Sequence, residues 1–136
     1  MDYVLDIEKV IADKAAFARV FDHTLLKADA TPAQVEALCR EAAAYGFASV
    51  CVNSCYATLA SKLLDGTGVD TCCVVGFPLG AMSTAAKARE TEDAVASGAV
   101  EIDMVIQLGM LKYGWHDAVR EDIAAVVHGA RRAIVK

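Results

Sequence analysis

The feature that most narrows the folds open to this chain is a repeat. A short strand-like apolar run is followed by a segment with apolar residues at helical spacing, four times over. The strand-like runs are Phe21-Asp22-His23-Thr24-Leu25-Leu26, Ala48-Ser49-Val50-Cys51-Val52-Asn53, Thr71-Cys72-Cys73-Val74-Val75 and Val100-Glu101-Ile102-Asp103-Met104-Val105-Ile106. They start near positions 21, 49, 71 and 101, so a unit takes about 22 to 30 residues, which suits one strand plus one covering helix. This interval predicts parallel strands with right-handed crossovers. Ile134-Val135-Lys136 would begin a fifth strand.

An eight-unit barrel takes about 250 residues. The 136 residues therefore predict an α/β fold in one domain, 1–136: a parallel (βα)4 half of a TIM (β/α)8 barrel with an N-terminal covering helix. A small open doubly wound sheet is the alternative. A hydrophobic share of 56% without a long uncharged apolar run fits strands covered on both faces and excludes a membrane-spanning helix.

Between the strands, the helical period is explicit. Val4, Ile7, Ile11 and Ala15 predict an amphipathic leading helix from about Tyr3 to Arg19. Thr31-Pro32 with Gln34 is a capping box that starts a helix with the stripe Val35, Leu38, Cys39 and Ala42, ended by Gly46. Tyr56, Leu59, Ala60 and Leu63 form the next stripe, with Gly66 and Gly68 as its stop. A helix is expected from Ser83 to Gly98, a turn around Gly109 and Gly114, and a last helix on Val119, Ile123, Val126, Val127 and Ala130. Gly76-Phe77-Pro78-Leu79-Gly80 cannot be helical, and without a Gly-rich run before a lysine it is no phosphate loop, so it reads as a rigid rim.

The N-terminus carries acids where a secretory leader carries bases, so a cytoplasmic protein is expected. Five cysteines, an odd number, match no standard zinc spacing; they read as reduced, packed thiols with no metal. A net charge of −5 argues against nucleic acid or an anionic membrane as partner.

Strand alternation separates two chemistries. Asp22 and Thr24 share one face, as do Ser49, Cys51 and Asn53, and Glu101, Asp103 and Val105; the opposite faces hold Leu25, Val50, Val52, Ile102 and Met104. The polar set is expected to face the barrel interior. A carboxylate there costs several kcal/mol unless a cation or several donors meet it, so Asp22 and Asp103 imply an inward basic partner. Asp103, between Ile102 and Met104, reads as functional rather than as a solvated strand end; Asp22 reads as functional rather than as a loop cap. For Thr24, Cys51 and Asn53, ligand contact and local backbone bonding stand side by side. His23 should face the helices as a packed core histidine, and Lys87, Arg89, Glu90, Glu92 and Asp93 should form a solvated helix face.

The four motifs Phe21 to Lys27, Ser49 to Asn53, Val75 to Gly80 and Glu101 to Ile106, in this order and spacing, resemble the deoxyribose-phosphate aldolase family, over essentially all of this chain but only the family's N-terminal half. The resemblance implies a class I aldolase on a TIM barrel. Such an enzyme splits 2-deoxyribose 5-phosphate into acetaldehyde and glyceraldehyde 3-phosphate through a lysine Schiff base, without metal or other cofactor, in deoxyribonucleotide catabolism.

Carried over residue by residue, Asp103 resembles the acid/base at the imine carbon and Asp22 the carboxylate that holds an active-site lysine. Thr24 and Cys51 resemble pocket residues, with Asn53 beside them. Lys136 is similar to a lysine near the site that does not form the imine. The Schiff-base lysine belongs on the sixth strand and its partner lysine on the seventh, and this chain holds neither. Lys27, Lys62, Lys87 and Lys112 sit where neither desolvation nor a neighbouring cation is expected to make them nucleophilic. Gln107 and Ser54 stand where the family has Asn and Pro.

The 136 residues alone are thus expected to lack activity, taking a sugar phosphate or aldehyde only in a completed barrel. Another reading is a non-catalytic half-barrel that self-associates to a homodimer or larger through open edges and an apolar inner face. A third is an open α/β domain holding a small anion at its strand ends.

Overall fold

The computed structural model describes residues 7–136. Five strands form one parallel sheet: β1 (Asp22–Leu25), β2 (Ser49–Val52), β3 (Asp70–Val75), β4 (Glu101–Met104) and β5 (Ile134–Val135). The helices are α1 (Ile7–Ala12), α2 (Lys14–Ala18), α3 (Pro32–Tyr45), α4 (Ala57–Leu64), α5 (Thr84–Ala96), α6 (Leu108–Tyr113) and α7 (His116–Ala130). No helix among the described residues is long and apolar enough to cross a membrane.

Spatial order equals chain order, β1-β2-β3-β4-β5, so every crossover steps one place in the same direction. Right-handed crossovers that never reverse put all their helices on one face. A doubly wound sheet reverses at a switch point; this one does not, and the barrel-wall reading stands.

The helix-side core joins Val50, Val52, Cys73, Val75 and Ile102 of the strands to helix residues such as Val35, Ala60 and Val126. The other face buries a smaller cluster, Cys51, Cys72 and Val74, with Leu26 against it. The floor of that face is therefore already covered, rather than being the exposed apolar surface expected.

The sheet is strongly rolled. Strands lie about 4.8 Å apart, so in a flat sheet β1 and β5 would be about 19 Å apart, beyond the reach of one lysine and one aspartate. Yet Lys136, just after β5, places Nζ 2.5 Å from Oδ2 of Asp22 on β1. Only a curved, barrel-like wall allows this.

Local signals behave as expected where they are strong. Thr31 and Gln34 form the capping box of α3, Gly46 ends it in the left-handed region, and Val35, Leu38, Cys39 and Ala42 are its buried residues. Gly80 closes the rim loop with φ +64°, its N–H donating to the Gly76 carbonyl. A Cβ there would lie 2.0 Å from the Ile106 carbonyl oxygen, so only glycine fits.

Several expectations need correction. The leading helix is two short ones, because Asp13 adopts an extended conformation and its carboxylate caps Ala15 and Ala16; Val4 lies outside the described residues. Ile7 and Ile11 are exposed, and it is Ala18 that is buried, while Arg19 donates to the Gly68 carbonyl at 2.6 Å. In α4 the buried residues are Ala57, Ala60 and Leu64, leaving Leu63 exposed, since the 3-10 turn at Ser54–Tyr56 rotates the helix entry. The expected turn at 109–114 is largely α6, capped by Gly114. In α7, Val127 is half exposed while Asp122 is buried.

His23 is partly exposed rather than core, bonded to Glu41 of α3 at 2.9 Å and stacked near Phe47. The face expected to be solvated on α5 is split: Arg89, Glu92 and Asp93 are solvated, but Lys87 is fully buried and Glu90 accepts from the Gly76 N–H and from Ser54.

The reason is α7, which packs along α5 and brings Asp122 to Lys87 at 2.6 Å, both 0% exposed. The other Asp122 oxygen accepts from Thr84 at 2.9 Å and Gln107 at 3.1 Å, so the buried charge is fully met. Removing one partner strands the other. Lys87→Ala and Asp122→Ala are each expected to lower unfolding free energy by about 3–5 kcal/mol, measured by urea unfolding. Asp117→Ala, which opens only an exposed α7 pair, should leave the midpoint nearly unchanged.

Candidate active site

Register aligns Thr24 with Cys51, Cys51 with Cys72 and Cys72 with Glu101, and, two residues further along the strands, Val74 with Asp103. All of these side chains lie on the concave face, away from the helix-side core. Alternation put Thr24, Cys51, Glu101 and Asp103 on this face, because period two is a property of the strand itself, and left Cys72 and Val74 unassigned. The rolling of the sheet then converges them.

At one side Asp22 accepts from Ser49 Oγ at 2.7 Å and from Lys136 Nζ at 2.5 Å, while Lys136 also donates to Glu101 at 2.9 Å. Burial alone would raise the Asp22 carboxyl; the hydrogen bonds from Lys136 and Ser49, with the lysine's charge, outweigh it, and the net shift is downward. Burial likewise works against the Lys136 ammonium, but its bonds to Asp22 and Glu101 hold its pKa well above the ordinary lysine value. The expected basic partner of Asp22 is thus Lys136.

Asp103 is different. It is half buried and no cation among the described residues lies within 4 Å of it, contrary to the expected inward partner. It faces the thiols instead: the Cys51 and Cys72 sulfurs and an Asp103 oxygen lie within 4.8 Å of one another. The facing Cys72 thiol lowers the Cys51 pKa, and the Cys51 thiol, together with burial, raises that of Cys72. On the helix side, burial pushes Cys73 up to about 12.

Thr24 turns its hydroxyl to the Asp22 carbonyl at 2.8 Å, and Asn53 is half buried at the start of the 3-10 turn with no side-chain capping bond. A groove between the loops after β3 and β4, lined by Leu79, Gly80, Met82, Gln107 and Met110, opens at the C-terminal strand ends. Asp22 and Glu101, at the starts of β1 and β4, do not line it. Residues that sequence reasoning did not single out as a site are Glu101 and Cys72. Glu101 was legible as the inward neighbour of Asp103, whereas Cys72 required the register.

The lysines divide clearly. Lys27, Lys62 and Lys112 are exposed, and Lys87, though desolvated against expectation, is paired to Asp122. Lys136 lies between two carboxylates. A nucleophilic amine needs an uncharged state, favoured by an apolar pocket or a neighbouring cation, and Lys87 and Lys136 have anionic partners instead. What the concave face offers is a carboxylate with no cationic partner among the described residues, a fixed ammonium and a thiol pair.

The pair Asp22–Lys136 makes stability depend on pH. The folded Asp22 value lies below the unfolded one, about 3.9, so the contribution is present above that pH and is lost as pH falls through the folded value. Lys136, raised, contributes below about 10.4 and loses its contribution as pH rises through its folded value. Asp22→Asn should therefore lower the urea midpoint at neutral pH, and the gap to the unsubstituted protein should close as pH drops below about 4. A gap constant down to strong acid would contradict the pairing.

Comparison with known proteins agrees with this geometry. The model of the DeoC/LacD family aldolases matches residues 16–133. The deoxyribose-phosphate aldolase of Geobacillus sp. (strain WCH70) is 56% identical over 120 residues, 88% of this chain and 54% of the relative. A crystal structure of a Coccidioides immitis protein superposes with TM-score 0.87 at 41% identity, over 90% of this chain and 49% of the other. The tetrameric deoxyribose phosphate aldolase from Aeropyrum pernix gives TM-score 0.68 at 28% identity, over 91% and 64%. The chain spans about half the length of the curated relatives it matches. With matched motifs, sheet order and concave polar face in agreement, the chain belongs to the DeoC/LacD aldolase family.

Proposed function

We propose that this chain carries the acid-bearing part of a class I aldolase site that cleaves 2-deoxyribose 5-phosphate to acetaldehyde and glyceraldehyde 3-phosphate through a lysine Schiff base. The observation that supports the reading is the division of labour on the concave face: Lys136 is fixed as a cation between Asp22 and Glu101, while Asp103 stands beside it without a cationic partner among the described residues. A carboxylate left free to change protonation is what proton transfer needs. In this reading Asp103 shuttles protons at the imine carbon, Asp22 positions Lys136, and Thr24, Cys51 and Asn53 line the substrate pocket. Lys136 presents a charge near the reacting atoms and is not the nucleophile.

The imine lysine comes, in this proposal, from outside the 136 residues, on a later strand that completes the barrel. One domain, these residues, supplies the first part of the wall. The five unpaired thiols support a reducing, cytoplasmic setting. The substrate is a small sugar phosphate, with a role in deoxyribonucleotide breakdown.

The test is reduction with borohydride in the presence of acetaldehyde, read by intact mass. The chain alone should give no adduct. Mixed with the C-terminal half of the Geobacillus aldolase, an adduct should appear on that half, with release of acetaldehyde from the sugar phosphate. Asp103→Asn should slow that cleavage by about 10²–10⁴-fold. A stable adduct on the chain alone would refute the assignment of the nucleophile.

A second reading, self-association of the half-wall, is supported by the sheet edges. β1 and β5 each lack a second partner strand among the described residues, and Ile134 on β5 is 59% exposed. Light scattering at micromolar concentration should show a dimer or larger species, and a monodisperse monomer would exclude it.

A further inference from the structure

We propose that Cys51, Cys72 and Asp103 form a three-ligand site for one thiophilic divalent cation, Zn²⁺ or Cd²⁺, on the concave face. Their donor atoms all lie within 4.8 Å of one another. A tetrahedral ion with sulfurs about 2.3 Å away sets two sulfurs about 3.8 Å apart, a closure that side-chain rotation alone can supply. The three residues come from three successive strands, so their backbone positions are fixed by the β2–β3 and β3–β4 ladders.

Two soft sulfur donors and one carboxylate select zinc-like ions over magnesium or calcium, which take oxygen sets. A water reaching the site past the half-buried Asp103 can complete the shell. The charge around the site also favours a cation. Asp22, Glu101 and Asp103 face it with three carboxylates, and the one ammonium among them, Lys136, is already engaged by two.

The competing fate of two adjacent thiols is a disulfide, and the sheet disfavours it. Cys51 and Cys72 are direct partners in a parallel ladder, which holds their Cβ atoms near the strand spacing of about 4.8 Å. A disulfide needs about 3.5–4.5 Å between Cβ atoms. A metal ion bridges the wider gap, and a disulfide would have to draw the strands together. The remaining thiols are elsewhere: Cys39 and Cys73 lie in the helix-side core and Cys55 is exposed beyond β2.

An ion so held would occupy Cys51 and Asp103 and so block substrate, making the site a reversible inhibitory one. This consequence rests on the aldolase reading; the binding itself does not.

The experiment is titration of the reduced, chelator-treated chain with Cd²⁺, following the ultraviolet thiolate-to-cadmium charge-transfer band. The expected result is a band saturating at one ion per chain, abolished in both Cys51→Ser and Cys72→Ser and retained in Cys39→Ser and Cys55→Ser, with circular dichroism verifying that each variant folds. Asp103→Asn should weaken binding by more than the about 10–100-fold that changes in outer-shell partners cause. No band, a band that survives loss of both Cys51 and Cys72, or spontaneous formation of a Cys51–Cys72 disulfide in air would overturn the proposal. A band with the expected variant pattern, together with a reconstituted aldolase insensitive to Zn²⁺, would uphold the metal site and refute the placing of Cys51 and Asp103 in the substrate pocket.

Discussion

The structure depends on the direction of its crossovers. Each strand is laid beside the last on the same side, and a right-handed crossover that never reverses must leave all the helices on one face. From this follow a dry helix side, built from Val50, Val52, Cys73, Val75 and Ile102, and a concave side where Asp22, Ser49, Glu101 and Lys136 meet beside a smaller floor of Cys51, Cys72 and Val74. The accumulated twist rolls the wall until the first strand and the residue after the fifth are within one side chain of each other. The polar groups of the concave face meet because of that roll.

Two lysines illustrate how the same charge serves different ends. Lys87 is sealed between α5 and α7, where Asp122, itself met by Thr84 and Gln107, compensates the loss of hydration. This cluster fixes the helix layer and the start of α6 through Gln107. Lys136 sits partly in water on the other face and ties β1 to β4 through Asp22 and Glu101. Both are amines near carboxylates. For chemistry, the consequence is that neither is in the cation-rich or apolar surroundings that produce an uncharged nucleophile, while Asp103 has no ion-pair partner among the described residues.

Membership of the aldolase family and the activity of these residues are separable. Motif order, a family match over residues 16–133 and a superposition at TM-score 0.87 concern the wall of the barrel and the residues it presents. The proposed chemistry requires the acid set and an amine in one cavity. The described residues hold the first on a concave surface whose floor, Cys51, Cys72 and Val74, is already packed. That packing also places the two sulfurs and Asp103 close together.

What the sequence determined by itself is what depends on neighbours along the chain. The capping box at Thr31 and Gln34, the stripe Val35 to Ala42, and the inward set Asp22, Cys51, Glu101 and Asp103 all follow from the helical and strand periods. Departures arose where a local competitor was weak in pattern but strong in geometry, as when Asp13 capped a new helix inside the leading one. The tertiary structure alone decided which residues meet across the fold. Lys87 looked like one more solvated charge until α7 brought Asp122 against it from 35 residues away. Cys72 acquired its role only through the register with Cys51, and Asp22 found its cation 114 residues downstream. Periodicity fixes the face on which a side chain stands, but register, crossover direction and sheet curvature fix what stands opposite it, and those are properties of the assembled sheet.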